Sequence, residues 1–370
     1  MSKVAPEVVA NTLNELHLAI KQHDVVNAEK SYKKTKSMLE NMDEDQNVLV
    51  YFSLLELRYK MMLYDVKGRK TPFDIKYNKK KLEDLRRTDE MIDYYFYFYE
   101  GMYEAYRKNF EEAIGLFKVA EKKLCHIPDE IEVAEFHSKV ASLYMHIRQS
   151  PVSLGHVNEA INIYKRHPDY KVKLGVAYVI KATNYMHLAR FDEAESYYFE
   201  AIKISRELGN KFFEIMQFHN ISIVYSDSNQ SEKCIGALKK VLRDKEWQAS
   251  AYYINSLYMI SREYFKIGDK NKGIKHYKKG LENLNEKENK IYESKLNIVY
   301  NLYCKDTKES VDICRRNIQN LVEENDLDGV IDLSRHISKH YEQKEDYKEA
   351  LEFANRAIAA ENKMRNLEGL

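Results

Sequence analysis

The sequence is poor in the residues that end strands and form tight turns. It contains 12 glycines and 5 prolines in 370 residues, which is too few for a fold of many short strands joined by hairpins. Charged residues make up 32% of the chain, enough to cover the outer faces of many helices. The sequence therefore predicts an all-α protein.

Further absences exclude several classes of function. The four cysteines show neither CxxC spacing nor a disulfide framework, and the glycine-rich phosphate loop of ATP-binding proteins is missing. A formal net charge of +1 gives no whole-chain reason to expect nucleic acid binding. No apolar run approaches the roughly 18 residues of a membrane helix, and Glu7 interrupts the apolar residues that a signal peptide would need. We expect a cytoplasmic protein with reduced thiols, no membrane contact and no direct nucleic acid contact.

A ladder of small and aromatic residues recurs along most of the chain. In the stretch AYVIKATNYMHLARFDEAESYYFEAI, Ala182, Ala194 and Ala201 alternate with Tyr185 and other aromatic residues at fixed offsets. Small residues allow helix backbones to approach, and aromatic rings fill the remaining space. This ladder resembles the tetratricopeptide repeat, a helix-turn-helix unit that stacks in series.

The repeat spacing is longer than usual. Tyr144, Tyr185, Tyr225 and Tyr264 lie 39 to 41 residues apart, whereas a typical repeat has about 34 residues. We therefore expect extended helices or turns, and we interpret these tyrosines as packing residues rather than a chemical site. One further unit is expected from Tyr300 to Ile318, where the small residues are less clear.

Ahead of the repeats, apolar spacing predicts a three-helix bundle over residues 1–66. The expected helices run from Val8 to Lys21, from Asn27 to Leu39 and from Gln46 to Tyr64. A DNA-binding helix-turn-helix is the alternative. Eight Lys and Arg stand against ten Asp and Glu in this region, which argues against contact with a phosphate backbone.

We interpret residues 67–90 as a linker or connecting helix. Residues 91–370 are predicted to form the tetratricopeptide-repeat domain. Lys67 to Arg87 holds nine basic and three acidic residues, so it is either a solvated connection or a basic strip for an acidic partner. The aromatic run YYFYFY, from Tyr94 to Tyr99, is expected in the first helix of the repeats. There it would pack between bundle and repeats.

Three segments carry a resemblance to a known family. NMDEDQNVLVYFSLLELRYKMML, EGMYEAYRKNFEEAI and DEIEVAEFHSKVASLYMHIRQSPVS resemble, in order and spacing, stretches of the Rap family of bacterial response-regulator aspartate phosphatases and inhibitors. The resemblance covers almost the whole chain. It implies a three-helix bundle that binds a response regulator, followed by a repeat superhelix that binds a short re-imported signalling peptide. Peptide binding would repack the bundle and release the regulator, as part of quorum sensing that serves processes such as sporulation and competence.

The resemblance assigns the catalytic role to Gln46. A neutral amide can accept a hydrogen bond from the attacking water and donate one to a phosphoryl oxygen, whereas a carboxylate would repel the phosphoryl charge. The protein needs no cofactor and no metal of its own, since the regulator would carry a divalent ion such as Mg²⁺. From spacing alone, Gln46 is simply the start of a helix. The family also contains members that sequester a regulator without catalysis, and this alternative stays open.

The remaining site residues follow from the same comparison. Glu44, Asp45 and Leu49 are candidates for regulator contact, although the acids also suit the capping of a helix. Asn184 and Asn220 match asparagines of the family pattern that pair with the backbone of an extended peptide. A buried hydrogen bond within the helices is the alternative for both. Met186 and His187 stand where an acidic residue is common in relatives, which leaves the usual preference for a basic peptide residue open.

Overall fold

A computed structural model describes residues 4–66, 75, 90–286, 289–305 and 307–365 of the protein. Within these ranges the chain is helical and forms no strand, and one isolated parallel bridge joins Val4 to Met42. The prediction of an all-α fold is confirmed. The helices are α1 (Pro6–Lys21), α2 (Val25–Leu39), α3 (Gln46–Val66), α4 (Glu90–Tyr106), α5 (Phe110–Lys123), α6 (Glu130–His146), α7 (Ser150–Tyr164), α8 (Lys171–His187), α9 (Phe191–Glu207), α10 (Lys211–Asp227), α11 (Ser231–Val241), α12 (Lys245–Ala249), α13 (Tyr253–Lys266), α14 (Lys270–Glu286), α15 (Lys290–Tyr300), α16 (Lys308–Glu323), α17 (Leu327–Glu342) and α18 (Tyr347–Arg365).

The first three helices form where apolar spacing predicts them. Helices α1 and α3 each bury an apolar face, because residues three and four positions apart share a helix face. The buried residues of α2 are Ala28, Ser31 and Thr35. The buried stripe of α1 consists of Val9, Leu13, Leu16 and Ile20. In α3, Leu55, Tyr59 and Met62 are buried on one face.

The aromatic run lies within α4 and is largely enclosed. Its rings contact α1, where the centroid of Tyr95 lies 5.1 Å from that of His17. They also contact α6, where Phe98 lies 5.7 Å from Phe136. The run therefore packs between the N-terminal helices and the first repeat, as predicted. Its buried members are Tyr94, Tyr95, Phe96, Phe98 and Tyr99.

Helix length explains the long repeat. Helices α8 and α9 each contain 17 residues, and short turns separate them from each other and from α10. Consequently α10 begins at Lys211, about 40 residues after the start of α8 at Lys171. The extended units that the tyrosine spacing predicts are therefore present.

A left-handed residue closes the turn inside each of these helix pairs. Arg148, Ala189, Asn229 and Gly268 have φ angles of 60°, 57°, 58° and 81°, and each follows a ladder tyrosine by four residues. The tyrosine carbonyl accepts the N–H of the residue five positions later, at 2.7 to 3.0 Å. This is the bond of a Schellman motif. The tyrosine spacing thus marks the end of the first helix in each pair.

Two glycines of the ladder permit close helix contact. A Cβ atom built on Gly101 would lie 2.7 Å from a ring carbon of Phe117, and one on Gly273 would lie 2.3 Å from a ring carbon of Phe265. Both distances are shorter than carbon atoms tolerate. The small residues at these offsets are therefore required by packing.

The predicted unit at Tyr300 to Ile318 departs from the regular pattern. A π-helical turn, Asn301–Lys305, follows α15, and α16 begins at Lys308. A π-turn shifts the phase of the helix by one residue. The shifted phase accounts for the unclear small positions in this part of the sequence.

The helices group into two compact units. One contains Met1–Leu143 with Val152–Ala177, and the other contains Tyr144–Pro151 with Tyr178–Leu370. The domain boundaries at residues 66 and 90 stay predictions. The basic stretch from Lys67 to Arg87 lies outside the described residues apart from Ile75. In the described ranges no helix combines the length and the apolar character that crossing a bilayer requires.

Candidate functional site

The segment before α3 is held by backbone hydrogen bonds and a cap. The N–H of Val4 donates to the carbonyl of Asn41 at 2.9 Å, and the N–H of Asp43 donates to the carbonyl of Val4 at 3.3 Å. Asp45 Oδ1 accepts the N–H of Val48 at 3.0 Å. Asp45 therefore caps α3, as its position before an apolar helix predicts.

Gln46 is the first residue of α3, and its side chain is exposed. Glu44 is also exposed, and Leu49, one helical turn further, is half-buried. An amide offers one acceptor oxygen and two N–H donors, and the positive end of the helix dipole favours an approaching anion. The fold thus brings Glu44, Asp45, Gln46 and Leu49 to one edge of the bundle, where they can contact a partner.

A stripe of acidic residues on and just before α6 faces cations of the N-terminal helices. The acids come at intervals of three residues, so they share one side of the helix. Lys21 Nζ lies 2.5 Å from Asp129 Oδ2 and 3.0 Å from Glu132 Oε1. These ion pairs join the bundle to the first repeat. The ion pairs are Lys21 with Asp129 and Glu132, and Arg58 with Glu135. His17 Nε2 also lies 3.0 Å from Glu132 Oε1.

The charges around Glu135 are unbalanced. Lys173 Nζ donates to Glu135 Oε2 at 3.1 Å, opposite the buried Arg58. Burial alone would raise the pKa of Glu135, but Lys173 and Arg58 hold that pKa well below its ordinary value. Lys139 makes no ion pair within the described residues, and burial together with the nearby Arg58 lowers its pKa to about 8. This cluster was not anticipated from the sequence. The three-residue spacing of its acids was the available signal.

The predicted peptide-binding asparagines differ in exposure. Asn184 in α8 is fully buried, and its Nδ2 donates to the carbonyl of Ile180 at 2.9 Å. Asn220 in α10 is half-buried, and its Nδ2 donates to Gln217 Oε1 at 3.0 Å. The fold places them on the first helices of consecutive repeats. Their role in peptide binding stays a prediction.

A buried histidine supports α10 next to Asn220. His219 lies 3.0 Å from Ser256 Oγ through Nδ1, and Trp247 Nε1 donates to the same hydroxyl at 3.0 Å. Burial lowers the pKa of His219 to about 4. The helix that carries Asn220 is therefore held by a neutral hydrogen-bond network.

Comparison with known proteins identifies the family. A family model described as "response regulator aspartate phosphatase H, N terminal" matches residues 3–64, and a tetratricopeptide-repeat model matches residues 176–208 and 254–283. Regulatory protein RapK of Bacillus subtilis (strain 168) is 46% identical over 370 residues, covering 100% of both chains. The chain belongs to the Rap family. The resemblance noted in the three sequence segments is confirmed.

Other Rap proteins extend this comparison. Regulatory protein RapG of the same organism is 38% identical over 100% of both chains, and response regulator aspartate phosphatase H is 29% identical over 87% of this chain and 85% of its own. The Rap family thus contains members named regulatory proteins and members named response regulator aspartate phosphatases.

Solved Rap structures share the fold. A Rap protein complexed with competence and sporulation factor aligns with a TM-score of 0.84 and 26% identity, over 98% of this chain and 100% of that chain. The apo form of RapI aligns with a TM-score of 0.73 and 25% identity, over 97% and 99%. An N-terminal helical bundle followed by a repeat superhelix is therefore confirmed for this Rap protein.

Proposed function

We propose that this Rap protein binds a phosphorylated response regulator and promotes hydrolysis of its aspartyl phosphate. The observation that carries the proposal is the position of Gln46. Its side chain is exposed at the first residue of α3, directly after the capping Asp45. The cap fixes the helix start, so the amide can enter a partner's site with little loss of backbone freedom.

The reaction requires this chain to orient the attacking water, and it requires no nucleophile from this chain. The Gln46 carbonyl accepts a hydrogen bond from the attacking water, and its NH2 donates to a phosphoryl oxygen. The regulator supplies the acidic pocket and the divalent ion, so this protein needs no cofactor. Glu44 and Leu49, both on the same edge, contact the regulator beside its site. Asp45 contributes chiefly by holding the helix.

A short signalling peptide would regulate this activity from the repeats. Relatives support this part, because solved Rap structures include a complex with competence and sporulation factor and another with the Phr* peptide. Asn220 is accessible to a peptide backbone, whereas Asn184 is buried and would need a local opening. We place the protein in peptide-based cell signalling in the cytoplasm.

Sequestration of a regulator without catalysis is the second candidate. The relatives that share 46% and 38% identity are named regulatory proteins, whereas those named phosphatases H and I share 29% and 28%. If the protein sequesters a regulator, the same edge of the bundle binds the regulator's surface, and Gln46 contributes contact area alone.

Stoichiometry separates the two candidates. Purified response regulators of the host are phosphorylated and mixed with a tenth of an equivalent of the protein, and loss of phosphate is followed. A phosphatase gives several turnovers. Gln46→Ala should remove them, by analogy with the loss of about 10²-fold or more when a single transition-state donor is deleted.

Asn47→Ala is the matched control, because Asn47 is the neighbouring exposed amide. It should retain full turnover. If no regulator loses phosphate faster, yet one co-elutes with the protein at one equivalent, the catalytic proposal fails and sequestration takes its place. Gln46→Ala should then still bind.

A further inference from the structure

An open cavity lies in the second compact unit, beside the helix pair α10 and α11. Its volume is about 470 Å³, which is within the range of about 300–1,000 Å³ that small-molecule sites commonly have. The buried side chain of Ile215 forms part of its wall. Gly236 forms another part, and a Cβ atom built on it would have nothing within 4 Å. The cavity therefore has room for a ligand beside α11.

Positive charge dominates the lining of this cavity. Its four cations are Lys211 from α10, Lys239 and Lys240 from α11, and Arg243 from the turn that follows α11. Asp244 is the one acid among the lining residues, and its side chain already accepts a backbone N–H as the cap of α12. A concave surface lined by charges of one sign concentrates ions of the opposite sign. The lining therefore favours an anionic ligand.

One carboxylate beside the cavity is shared among three cations. Glu214 Oε1 lies 3.0 Å from Arg206 Nε and 3.7 Å from Lys240 Nζ, and Oε2 lies 2.9 Å from Lys211 Nζ. Lys240 Nζ also lies 3.3 Å from the centroid of the Phe218 ring, a cation–π contact that holds this ammonium in place. Burial together with the other two cations lowers the pKa of Lys240, although Glu214 acts in the opposite direction. Positive charge is therefore in excess on this side of the cavity.

The other two cations of the lining have no acidic partner. Within the described part of the chain, the side chains of Lys239 and Arg243 make no ion pair and no hydrogen bond. Both side chains are exposed, so they are free to turn towards a ligand. Together with Arg206, five cations thus share the carboxylates of Glu214 and Asp244, which leaves three positive charges in excess.

We propose that this cavity binds a small molecule that carries two linked phosphate groups. A single phosphate monoester carries about 1.5 to 2 negative charges at pH 7, so two linked groups match the excess charge better than one does. The Arg243 guanidinium can bind a phosphate through two parallel hydrogen bonds, and Lys239 and Lys240 supply further donors. Charged side chains thereby take the role that backbone N–H groups have in the glycine-rich loop, which this sequence lacks. The site does not depend on the proposed phosphatase activity or on peptide regulation.

The test is isothermal titration calorimetry of the full-length protein with orthophosphate, pyrophosphate and ADP, in metal-free buffer at one ionic strength. Pyrophosphate should bind at one equivalent and at least tenfold more tightly than orthophosphate, because its second phosphate engages cations that the first leaves unpaired. The ADP titration identifies the source of the diphosphate. ADP that binds at least as tightly as pyrophosphate identifies a nucleotide, and weaker binding identifies inorganic pyrophosphate.

Two variants remove the cations that lack a partner. Arg243→Gln and Lys239→Gln should each weaken pyrophosphate binding about tenfold, the size of one charge-assisted hydrogen bond. Both residues are exposed, so the variants should keep the thermal midpoint of wild type. Arg316→Gln and Lys348→Gln are the matched controls. They remove exposed cations of α16 and α18 and should leave the affinity unchanged.

Three outcomes overturn the assignment. If Arg243→Gln and Lys239→Gln lose no more affinity than the two controls, the anion binds outside this cavity. Orthophosphate that binds as tightly as pyrophosphate would refute the requirement for two phosphate groups. If millimolar concentrations of all three probes give neither a heat of binding nor a rise in the thermal midpoint, the cavity is not an anion site. None of these results bears on the proposed action on a response regulator.

Discussion

Arg58 of α3 and Glu135 of α6 form an ion pair whose side chains are 3% and 4% exposed. Removal of one partner of a buried pair leaves an uncompensated charge, which typically costs 3–5 kcal/mol. Here Glu135→Gln would leave Arg58, Lys173 and Lys139 close together without the acid that they share. We expect the free energy of unfolding in urea to fall by about 3 kcal/mol or more.

The exposed pair between Lys33 and Glu29, at 2.6 Å, provides the comparison. Glu29→Gln should leave the urea midpoint unchanged, since exposed pairs of this kind contribute little. Equal effects from Glu135→Gln and Glu29→Gln would contradict the role given to the buried cluster.

Lys139 should make stability depend on pH in the alkaline range. Its pKa is about 8 in the folded protein against an ordinary 10.5, so the unfolded chain binds more protons between these values and stability rises with pH there. Below about pH 8 the folded protein bears the full cost of the buried charge. Lys139→Met should therefore raise the free energy of unfolding at pH 7 by about 1–3 kcal/mol and remove the rise.

The measurement is urea unfolding of wild type and Lys139→Met at pH 7, 8, 9 and 9.5. The difference between their free energies of unfolding is taken at each pH, so that the contributions of other titrating groups cancel. Lys165→Met, at an exposed position, is the control and should give a constant difference. A Lys139→Met protein that is less stable than wild type at pH 7 would show that the ammonium is favourably solvated.

Ala189 carries a backbone conformation that suits glycine better. Its φ is 57°, and this left-handed conformation costs a residue with a Cβ about 1–2 kcal/mol. Glycine avoids that cost, but its larger unfolded-state entropy offsets about half of the gain. Ala189→Gly should thus stabilise the protein by about 0.5–1 kcal/mol. Thermal unfolding checks this, with Gly268→Ala at φ 81° expected to shift the midpoint in the opposite direction.

These turns also show what the sequence could and could not predict. The tyrosine spacing predicted the repeat length. In each repeat the tyrosine carbonyl is the acceptor of the Schellman turn, so the tyrosine lies at a fixed number of residues from the end of its helix. The left-handed residues after it carry no shared identity, since arginine, alanine, asparagine and glycine all occupy them. Residue type therefore revealed the helices but not the conformation that closes them.

The candidate site was also predictable only in part: its local features followed from the sequence, and its contacts between distant residues did not. Gln46 and the Asp45 cap follow from local sequence, because a helix start is set within four residues. The pairs of Arg58 with Glu135 and of Arg148 with Asp328 join residues 77 and 180 positions apart. Such contacts depend on how helices stack, which local periodicity does not encode. For Asn184 the sequence left peptide binding and a buried hydrogen bond within the helices both open, and its full burial emerged from the fold alone.

His219 should limit stability at acid pH. Its pKa in the folded protein is about 4 against an ordinary 6.5, so the unfolded chain binds more protons between these values and stability falls as pH drops from 6.5 to 4. His219→Gln keeps a donor and an acceptor for Ser256 and cannot become charged. We expect its stability to depend less on pH in this window, with a small loss at pH 7.

The single tryptophan offers the probe, since the ring of Trp247 lies 5.2 Å from that of His219. Urea unfolding followed by its fluorescence at pH 7, 6, 5 and 4.5 gives both curves. His126→Gln changes an exposed histidine and should reproduce the wild-type dependence. Parallel curves for wild type and His219→Gln would refute the prediction.

The edge of α3 allows capping and partner contact to be separated. Asp45 accepts the N–H of Val48, so Asp45→Ala should cost about 1 kcal/mol of stability, whereas Asp45→Asn keeps the cap and should cost little. If Asp45 acts on the regulator through the helix start, Asp45→Asn retains regulator binding and Asp45→Ala weakens it. Glu44→Gln, at an exposed position, should leave stability unchanged and weaken binding more at low salt than at high salt, because a surface charge is screened. Titration calorimetry with the regulator, paired with urea unfolding of each variant, checks all three. Loss of binding in Asp45→Asn at unchanged stability would instead place that carboxylate in direct contact with the regulator.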